Sequence, residues 1–437
     1  MTTDRRDPAP ASPTAGGAAP AAPLDGRAAP AAAGAGTLAA RNYLPSLTGL
    51  RAVLAFVVFG GHFTALGLTA PHGTEARSFL QRALEVLFSY PSVAVSGFFV
   101  LSGFVLTWIA KPADRARDFY RRRVAKIYPV HLVTTVAALV AVVAAFGWPA
   151  WTILASHALM LHAWIPSQFA YFGLNVVSWS LSCEAFFYLC FPLLLALLPR
   201  IRARGLYAVL GVCLLSIFGL PALVGGTFAL ARPDSFEMVP TAGGGGPFVF
   251  WFAYLFPPAR LPEFVLGVVI ALLLKRGSWR GPNVAVSLLL CVAGWALNYN
   301  LPGYLHFQAG MVIPWMFLIA ALVRADLEGR WSPLRSRTMV WLGEVSFSFY
   351  ACHLLAQEQL SIRIGIWMYG RGWVPDNTVT WQWYQALPFM LLELAVALLV
   401  AWLLHRVVEL PLQRLLRPRP RTPSAPATAA EVPAGTG

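Results

Sequence analysis

Arg51 and His62 stand eleven positions apart in an otherwise apolar run, SLTGLRAVLAFVVFGGHF, from Ser46 to Phe63. At 3.6 residues per turn this spacing returns a side chain to nearly the same face of a helix, about 16 Å further along the axis. An ionised group at the centre of a bilayer costs at least about 2.5–3.5 kcal/mol on insertion scales, so such residues turn toward protein or water. A guanidinium can hold an anion through charge-assisted hydrogen bonds, and an imidazole can take and return a proton near neutral pH. One helix face thus carries a cation near one membrane surface and a titratable ring deeper in. The plainer reading of His62 is a hydrogen bond to a neighbouring helix.

The composition requires a membrane setting for that helix. Of 437 residues, 57% are hydrophobic and only 12% charged, and the mean hydropathy is +0.61, whereas a soluble domain carries about 25% charge. The formal charge of +14 would invite a nucleic-acid reading in a soluble chain. Here the basic residues fall in short gaps between apolar runs, so positive-inside bias explains them and no nucleic-acid partner is expected. The cysteines Cys183, Cys190, Cys213, Cys291 and Cys352 lie inside apolar segments without paired spacing. They read as small buried hydrophobes, neither disulfides nor metal ligands.

Residues 1–40 are an Ala/Pro/Gly-rich tail with no signal-peptide core, expected to be disordered and cytoplasmic. A similar tail covers 418–437, leaving 41–417 as the membrane domain. Ten spans are expected, near 47–68, 92–110, 126–147, 174–198, 206–225, 256–274, 283–300, 309–323, 338–359 and 386–408. The run 148–165 reads as an interfacial or re-entrant helix, and 309–323 is short for a span. Longer non-helical stretches are expected at 69–91, 226–250 and 360–385. With the N-terminus cytoplasmic, the 33 basic residues divide 27 inside to 6 outside, which favours an even number of spans. The expected fold is therefore an all-α polytopic membrane protein with about ten transmembrane helices and both termini cytoplasmic.

Seven stretches in order resemble the membrane acyltransferase-3 family. Leu44–His62 is similar to its first-helix Arg…His signature, Ser96–Trp108 to its second helix, and FYRRRVAKIYP (Phe119–Pro129) to its basic third-helix entry. SWSLSCEAFFYL (Ser178–Leu189) resembles its Trp-Ser-Leu…Glu motif. RLPEFVLG (Arg260–Gly267), LGEVSFSFYACH (Leu342–His353) and VELP (Val408–Pro411) match later stretches. Two departures stand out. The family's Arg-x-x-Arg is here Arg123 followed by Lys126, which keeps the charge but loses the bidentate fork. Phe347 replaces a frequent Tyr. The resemblance leans toward actinobacterial members that acylate macrolide antibiotics. It implies a multi-pass cell-membrane (plasma or inner) enzyme with no permanently bound cofactor. Such an enzyme moves an acetyl or other short acyl group from acyl-CoA, acetyl-CoA foremost, to a hydroxyl of a sugar, polysaccharide or secondary metabolite.

Acyl transfer from a thioester needs a base, stabilisation of the oxyanion and a grip on the donor. His62 is the candidate base, or a nucleophile forming an acyl-imidazole. Glu184 could orient His62, pair with an Arg, or touch the acceptor. Arg51 and Arg123 are the first candidates for the coenzyme A phosphates, with Lys126, Arg122 and Arg121 behind them. Positive-inside bias alone explains most such clusters. Ser102 and Gly103 could serve close helix packing or substrate. Arg260 and Glu263 could pair with each other or meet the acceptor. His353 could bond a helix or belong to the site. His157 and His162 read as structural, and Glu393 has no assigned role. A competing function is a proton-coupled transporter or exporter relaying through His62, Glu184 and Glu393, although no internal halves are visible. A non-catalytic scaffold gives no reason to keep Arg51 and His62 in the bilayer.

Overall fold

The computed structural model describes residues 43–67, 79–111, 114–228, 246–372 and 383–416. The tails expected at 1–40 and 418–437 lie outside the described residues. The described elements are helical: α1 (Pro45–Gly67), α2 (Phe79–Phe88), α3 (Pro91–Ile109), α4 (Ala116–Phe146), α5 (Trp151–Ala158) and α6 (Trp179–Leu197). They continue with α7 (Ala203–Phe228), α8 (Pro257–Lys275), α9 (Val284–Asn298), α10 (Ala309–Leu327), α11 (Arg337–Gly370), α12 (Trp383–Leu404) and α13 (Leu410–Leu416). Nine helical stretches among the described residues are long and apolar enough to cross a membrane.

The difference from ten lies in α9. Its 15 residues span about 22 Å, short of a hydrocarbon core of about 30 Å. It nevertheless runs beside α10 from end to end. Arg324 at the end of α10 donates to the Gly281 carbonyl just before α9 at 2.9 Å. At the other end Asn298 donates to the His306 carbonyl just before α10 at 3.0 Å. Conversely, the stretch expected to be short at 309–323 is a 19-residue helix. All three stretches expected as non-helical are partly helical: 79–88 forms α2, α7 runs on to Phe228 and Gly246–Phe250 is helical, and α11 continues through 360–370.

Close backbone contact sets the centre of the bundle. Helix α3 packs along α8 and also touches α1 and α10. Gly103 of α3 and Gly267 of α8 face each other's helix: a Cβ on Gly103 would overlap the Phe264 carbonyl, and one on Gly267 the Val100 carbonyl. Small residues let membrane helices approach in this way, where dispersion replaces the hydrophobic effect as the driving force. The packing expectation for Ser102 and Gly103 thus applies to Gly103, while Ser102 turns to a cavity. Replacing Gly103 by Ala is expected to lower the melting temperature in detergent by several degrees, overpacking being worth about 1–3 kcal/mol. Gly211→Ala, with nothing within 4 Å of its Cβ, is the control, and equal melting of the two variants would refute the close packing.

The 148–165 run folds back on itself as a hairpin. After α5 the chain reverses at Met160 and returns through short turns to Trp179. Three histidines anchor it to α4. The rings of His157 and His162 stack at 4.0 Å, and His131 lies parallel at 6.1 Å from His162. His131 Nε2 donates to the His157 carbonyl at 2.7 Å and His157 Nε2 to the Ala170 carbonyl at 2.9 Å. His162 Nε2 donates to Ser178 Oγ, whose own proton goes to the Asn175 carbonyl. Each Nδ1 is buried without a partner, so the rings rest neutral, as structural elements. Burial pushes the His157 pKa down to about 4 from its ordinary 6.5 and drives His162 well down as well, with its neighbours His157 and His131 adding to it. The folded hairpin therefore refuses protons that the unfolded chain accepts. The stability from His157 is complete above pH 6.5 and falls away as pH drops toward 4, by about 3 kcal/mol. Thermal melting in detergent should fall across that window, with a shallower slope for His157→Gln. Melting that is flat between pH 7 and pH 4 would contradict this.

Candidate active site

The hydrogen bonds around His62 dictate its tautomer. Its Nδ1 lies 3.0 Å from His353 Nε2, joining α1 to α11. His353 Nδ1 faces the carbonyls of Tyr350 at 2.9 Å and Phe349 at 3.3 Å. Carbonyl oxygens only accept, so His353 Nδ1 carries a proton and its Nε2, in the neutral ring, is the acceptor. His62 therefore donates from Nδ1, which leaves its Nε2 as a bare lone pair. His62 lines a cavity of about 70 Å³ with Val58, Val95, Trp179, Tyr254 and Tyr350. The arrangement presents an oriented proton acceptor to that space.

From the opposite end of the bundle, a file of cavities leads toward His62. The largest, about 570 Å³, opens between α3, α4 and α6 and is lined by Lys111, Arg115, Arg122 and Arg123 among apolar groups. Helix α4 can wall this mouth because its 31 residues extend well past a bilayer core. Arg123 also lines the next cavity, of about 90 Å³, with Arg51, Ser102, Lys126, Glu184 and Tyr188. Arg51 and Glu184 then line a third, of about 50 Å³, that reaches Tyr350. Tyr350 and Val95 form the boundary with the His62 cavity.

Charge in this file is unbalanced. Arg51, Arg123 and Lys126 face Glu184, with Glu409 also acting on Lys126, and among the described residues none of the three cations makes an ion pair within 4 Å. Arg123 instead packs its guanidinium over the rings of Phe119 and Tyr188, at 5.7 and 5.8 Å, and its Nε is buried without a partner. Lys126 lies 5.9 Å from the Phe347 ring centre. Glu184 accepts from the Tyr188 hydroxyl at 3.2 Å, which also lies 3.4 Å from Ser102 Oγ. At the mouth Arg122 pairs with Asp114 at 3.5 Å. Uncompensated cations in low dielectric attract anions strongly.

Several sequence expectations land elsewhere. Glu184 does not orient His62: it lies on the Arg51 side of Tyr350, and His353 holds the His62 ring. Arg260 and Glu263 pair with each other at 3.1 Å, both with side chains 0% exposed, so neither is open to an acceptor. Arg260 also bonds Gln308 and Ser96, tying α8 to α3 and to the residue preceding α10. Glu393 accepts from Ser361 at 2.6 Å and Gln357 at 3.3 Å, which joins α11 to α12. Arg121 does not line the cavity file. The sequence reading missed Tyr350 and Tyr254 in the His62 cavity. It also missed Glu409, whose carboxylate gathers Ser348, His405 and Gln413. Tyr350 could have been found, since it precedes His353 by three residues and so shares its helix face. Among the described residues no three His, Cys, Asp or Glu side chains converge as metal ligands.

Residues 44–406 match the acyltransferase domain family, acyltransferase-3. The chain belongs to this family. It is 39% identical to the acyltransferase MdmB of Streptomyces mycarofaciens over 392 residues, 88% of this chain and 95% of that protein. It is 23% identical to ORF330 of Acidianus two-tailed virus, a protein named an acetyltransferase, over 272 residues, 62% of this chain and 74% of the other. No solved structure matches the chain. The protein is thus an acyl-transferring membrane enzyme, which decides against the exporter reading. For an acyltransferase-3 protein with this arrangement, His353→Ala removes the acceptor that orients His62 and is expected to lower kcat on the order of 10²-fold. His353→Asn, whose amide oxygen can accept from Nδ1, should recover part of the loss. Equal activity of wild type and His353→Ala in membranes would rule the pair out.

Proposed function

We propose that the protein is a plasma-membrane O-acyltransferase with an acyl-CoA donor and His62 as general base. It moves an acetyl or other short acyl group to a hydroxyl of a sugar, a cell-envelope polysaccharide or a secondary metabolite such as a macrolide. The observation that carries this is the file of cavities, cationic at its open end and closing on His62. In this reading the coenzyme A phosphates rest against Lys111, Arg115, Arg122 and Arg123. Arg51 and Lys126 hold the anionic donor deeper in, and the pantetheine arm passes Phe98 and Phe347 toward Tyr350. The excess of basic residues around this mouth supports its facing the cytoplasm, where acyl-CoA is found.

The chemistry follows from the tautomer. The acceptor hydroxyl gives its proton to His62 Nε2 while its oxygen attacks the thioester carbonyl. The imidazolium formed is stabilised through Nδ1–H on His353 and, behind it, the carbonyls of Tyr350 and Phe349. Collapse of the tetrahedral intermediate breaks the carbon–sulfur bond, and the coenzyme A thiolate takes the proton from His62. The ring ends in the state in which it began.

Labelled acetyl-CoA supplied to membranes should place label in an extracted glycan or small-molecule fraction. His62→Ala at matched expression should cut that transfer by at least about 10²-fold. Arg51→Ala should chiefly raise KM for acetyl-CoA, about tenfold for one charge-assisted contact. Undiminished labelling by His62→Ala would remove it as the base, and label absent from every fraction with wild type would remove the acyl-CoA reading.

A further inference from the structure

Acyl transfer puts negative charge on the thioester oxygen, and the largest electrostatic contribution in such reactions comes from donors already aimed at it. His62 and His353 supply none: one nitrogen of His62 is the base and the rest are committed. Of the polar groups around the His62 cavity, the Tyr350 hydroxyl is occupied, accepting from Ser180 Oγ at 2.7 Å and lying 3.4 Å from the Val177 carbonyl. Two lining residues remain, Trp179 at the start of α6 and Tyr254 just before α8. Among the described residues neither the Trp179 indole nitrogen nor the Tyr254 hydroxyl has a hydrogen-bond partner. Neither belongs with the polar atoms sealed in the protein interior, as the Tyr171 hydroxyl does. Both residues thus line the cavity with a donor that no described group of the protein engages.

The two rings are held in place independently of any substrate. Their centres are 4.5 Å apart at 56°. Trp179 meets Phe99 edge-on at 6.3 Å, and Tyr254 stacks on Phe307 at 4.8 Å and 23°. The buried Arg260 guanidinium lies 5.5 Å from the centre of the Tyr254 ring. A cation against the π face draws electron density from the ring and makes its hydroxyl a stronger donor. Arg260 itself is fixed by Glu263, Gln308 and Ser96, so this bias is built into the fold. The space suits the reacting group. A cavity of about 150 Å³ holds benzene, six heavy atoms; about 70 Å³ accommodates roughly half as many, the count of an acetyl group.

We infer that the Tyr254 hydroxyl and the Trp179 indole N–H form the oxyanion hole for acyl transfer at His62, with Arg260 as a positioning residue acting through the Tyr254 ring. The inference rests on the acyl-CoA reading above. As the acceptor oxygen bonds to the carbonyl carbon, the carbonyl electron pair moves to oxygen. The two donors hold that oxygen until the pair returns and the thiolate leaves, so no co-reactant is needed.

The test measures acetyl transfer from labelled acetyl-CoA into whichever fraction wild-type membranes label, over a range of donor concentrations. Tyr254→Phe keeps the ring and its packing but deletes the donor. It should lower kcat about 10²-fold, the usual cost of one oxyanion donor. KM for acetyl-CoA should stay within about twofold and the detergent melting temperature should match wild type, because donor grip lies at the Arg51 end. Trp179→Phe should lower kcat in the same direction. A wild-type kcat for Tyr254→Phe, a loss expressed in KM, or a loss tracking a lowered melting temperature would each overturn the inference. Absence of transfer in wild type would instead remove the acyl-CoA reading.

Discussion

Inside a bilayer core a polar group finds no water, so it is stable only where another helix answers it. Most of this bundle's cross-links are such answers. Ser46 at the start of α1 bonds Asp326 on α10 through both backbone and hydroxyl, at 3.0 and 2.6 Å. His62 bonds His353, Arg260 gathers Glu263, Gln308 and Ser96, and Glu393 takes Gln357 and Ser361. Each link fixes the depth of one helix against another. Arg51, Arg123 and Lys126 break the pattern, since they outnumber the carboxylates beside them, Glu184 and Glu409, and Arg123 and Lys126 rest against aromatic faces instead. A file of cations left short of counter-charge is best understood as half of a binding interaction.

The same constraint connects packing to chemistry. The close approach of α3 and α8 at Gly103 and Gly267 sets α8 so that the buried Arg260 lies between Phe99 of α3 and Tyr254. The hairpin after α4, locked by stacked imidazoles, delivers Phe172, Val176 and Trp179 to the His62 cavity. Its irregular backbone is packed against protein and borders a cavity, the setting in which a membrane protein tolerates non-helical chain. A helix too short to span by itself, α9, is tied to α10 at both ends, Asn298 donating to the loop before α10 and Arg324 of α10 donating to the loop before α9.

Much of the site's membership was legible one residue at a time. Arg51, His62, Ser102, Arg123, Lys126 and Glu184 are polar residues in or beside apolar runs, and all of them border the cavity file. Their partnerships were not legible. Glu184 looked like the natural orienter of His62 because a carboxylate usually fills that role, yet a second histidine 291 positions away holds the ring. Arg260 and Glu263, three apart on one helix, satisfied each other, which is the outcome their spacing favours. Tyr254 carried no signal, since an aromatic residue in an apolar run reads as packing or as an interface anchor, and Trp179 stood out only as part of the Trp-Ser-Leu…Glu stretch, without pointing to the His62 cavity.

By itself the sequence determined the solvent, the helical periodicity and the family. Composition excludes a soluble fold, and spacing alone puts Arg51 and His62 on one face about 16 Å apart. These are properties of single segments, which a bilayer reads independently of the rest of the chain. Only the tertiary structure decided which nitrogen of His62 is bare, which cations go unpaired and which residues line the His62 cavity. Those depend on how far each helix slides and turns against its neighbours. That is set by glycine contacts and buried hydrogen bonds between residues hundreds of positions apart, a relation no local pattern contains.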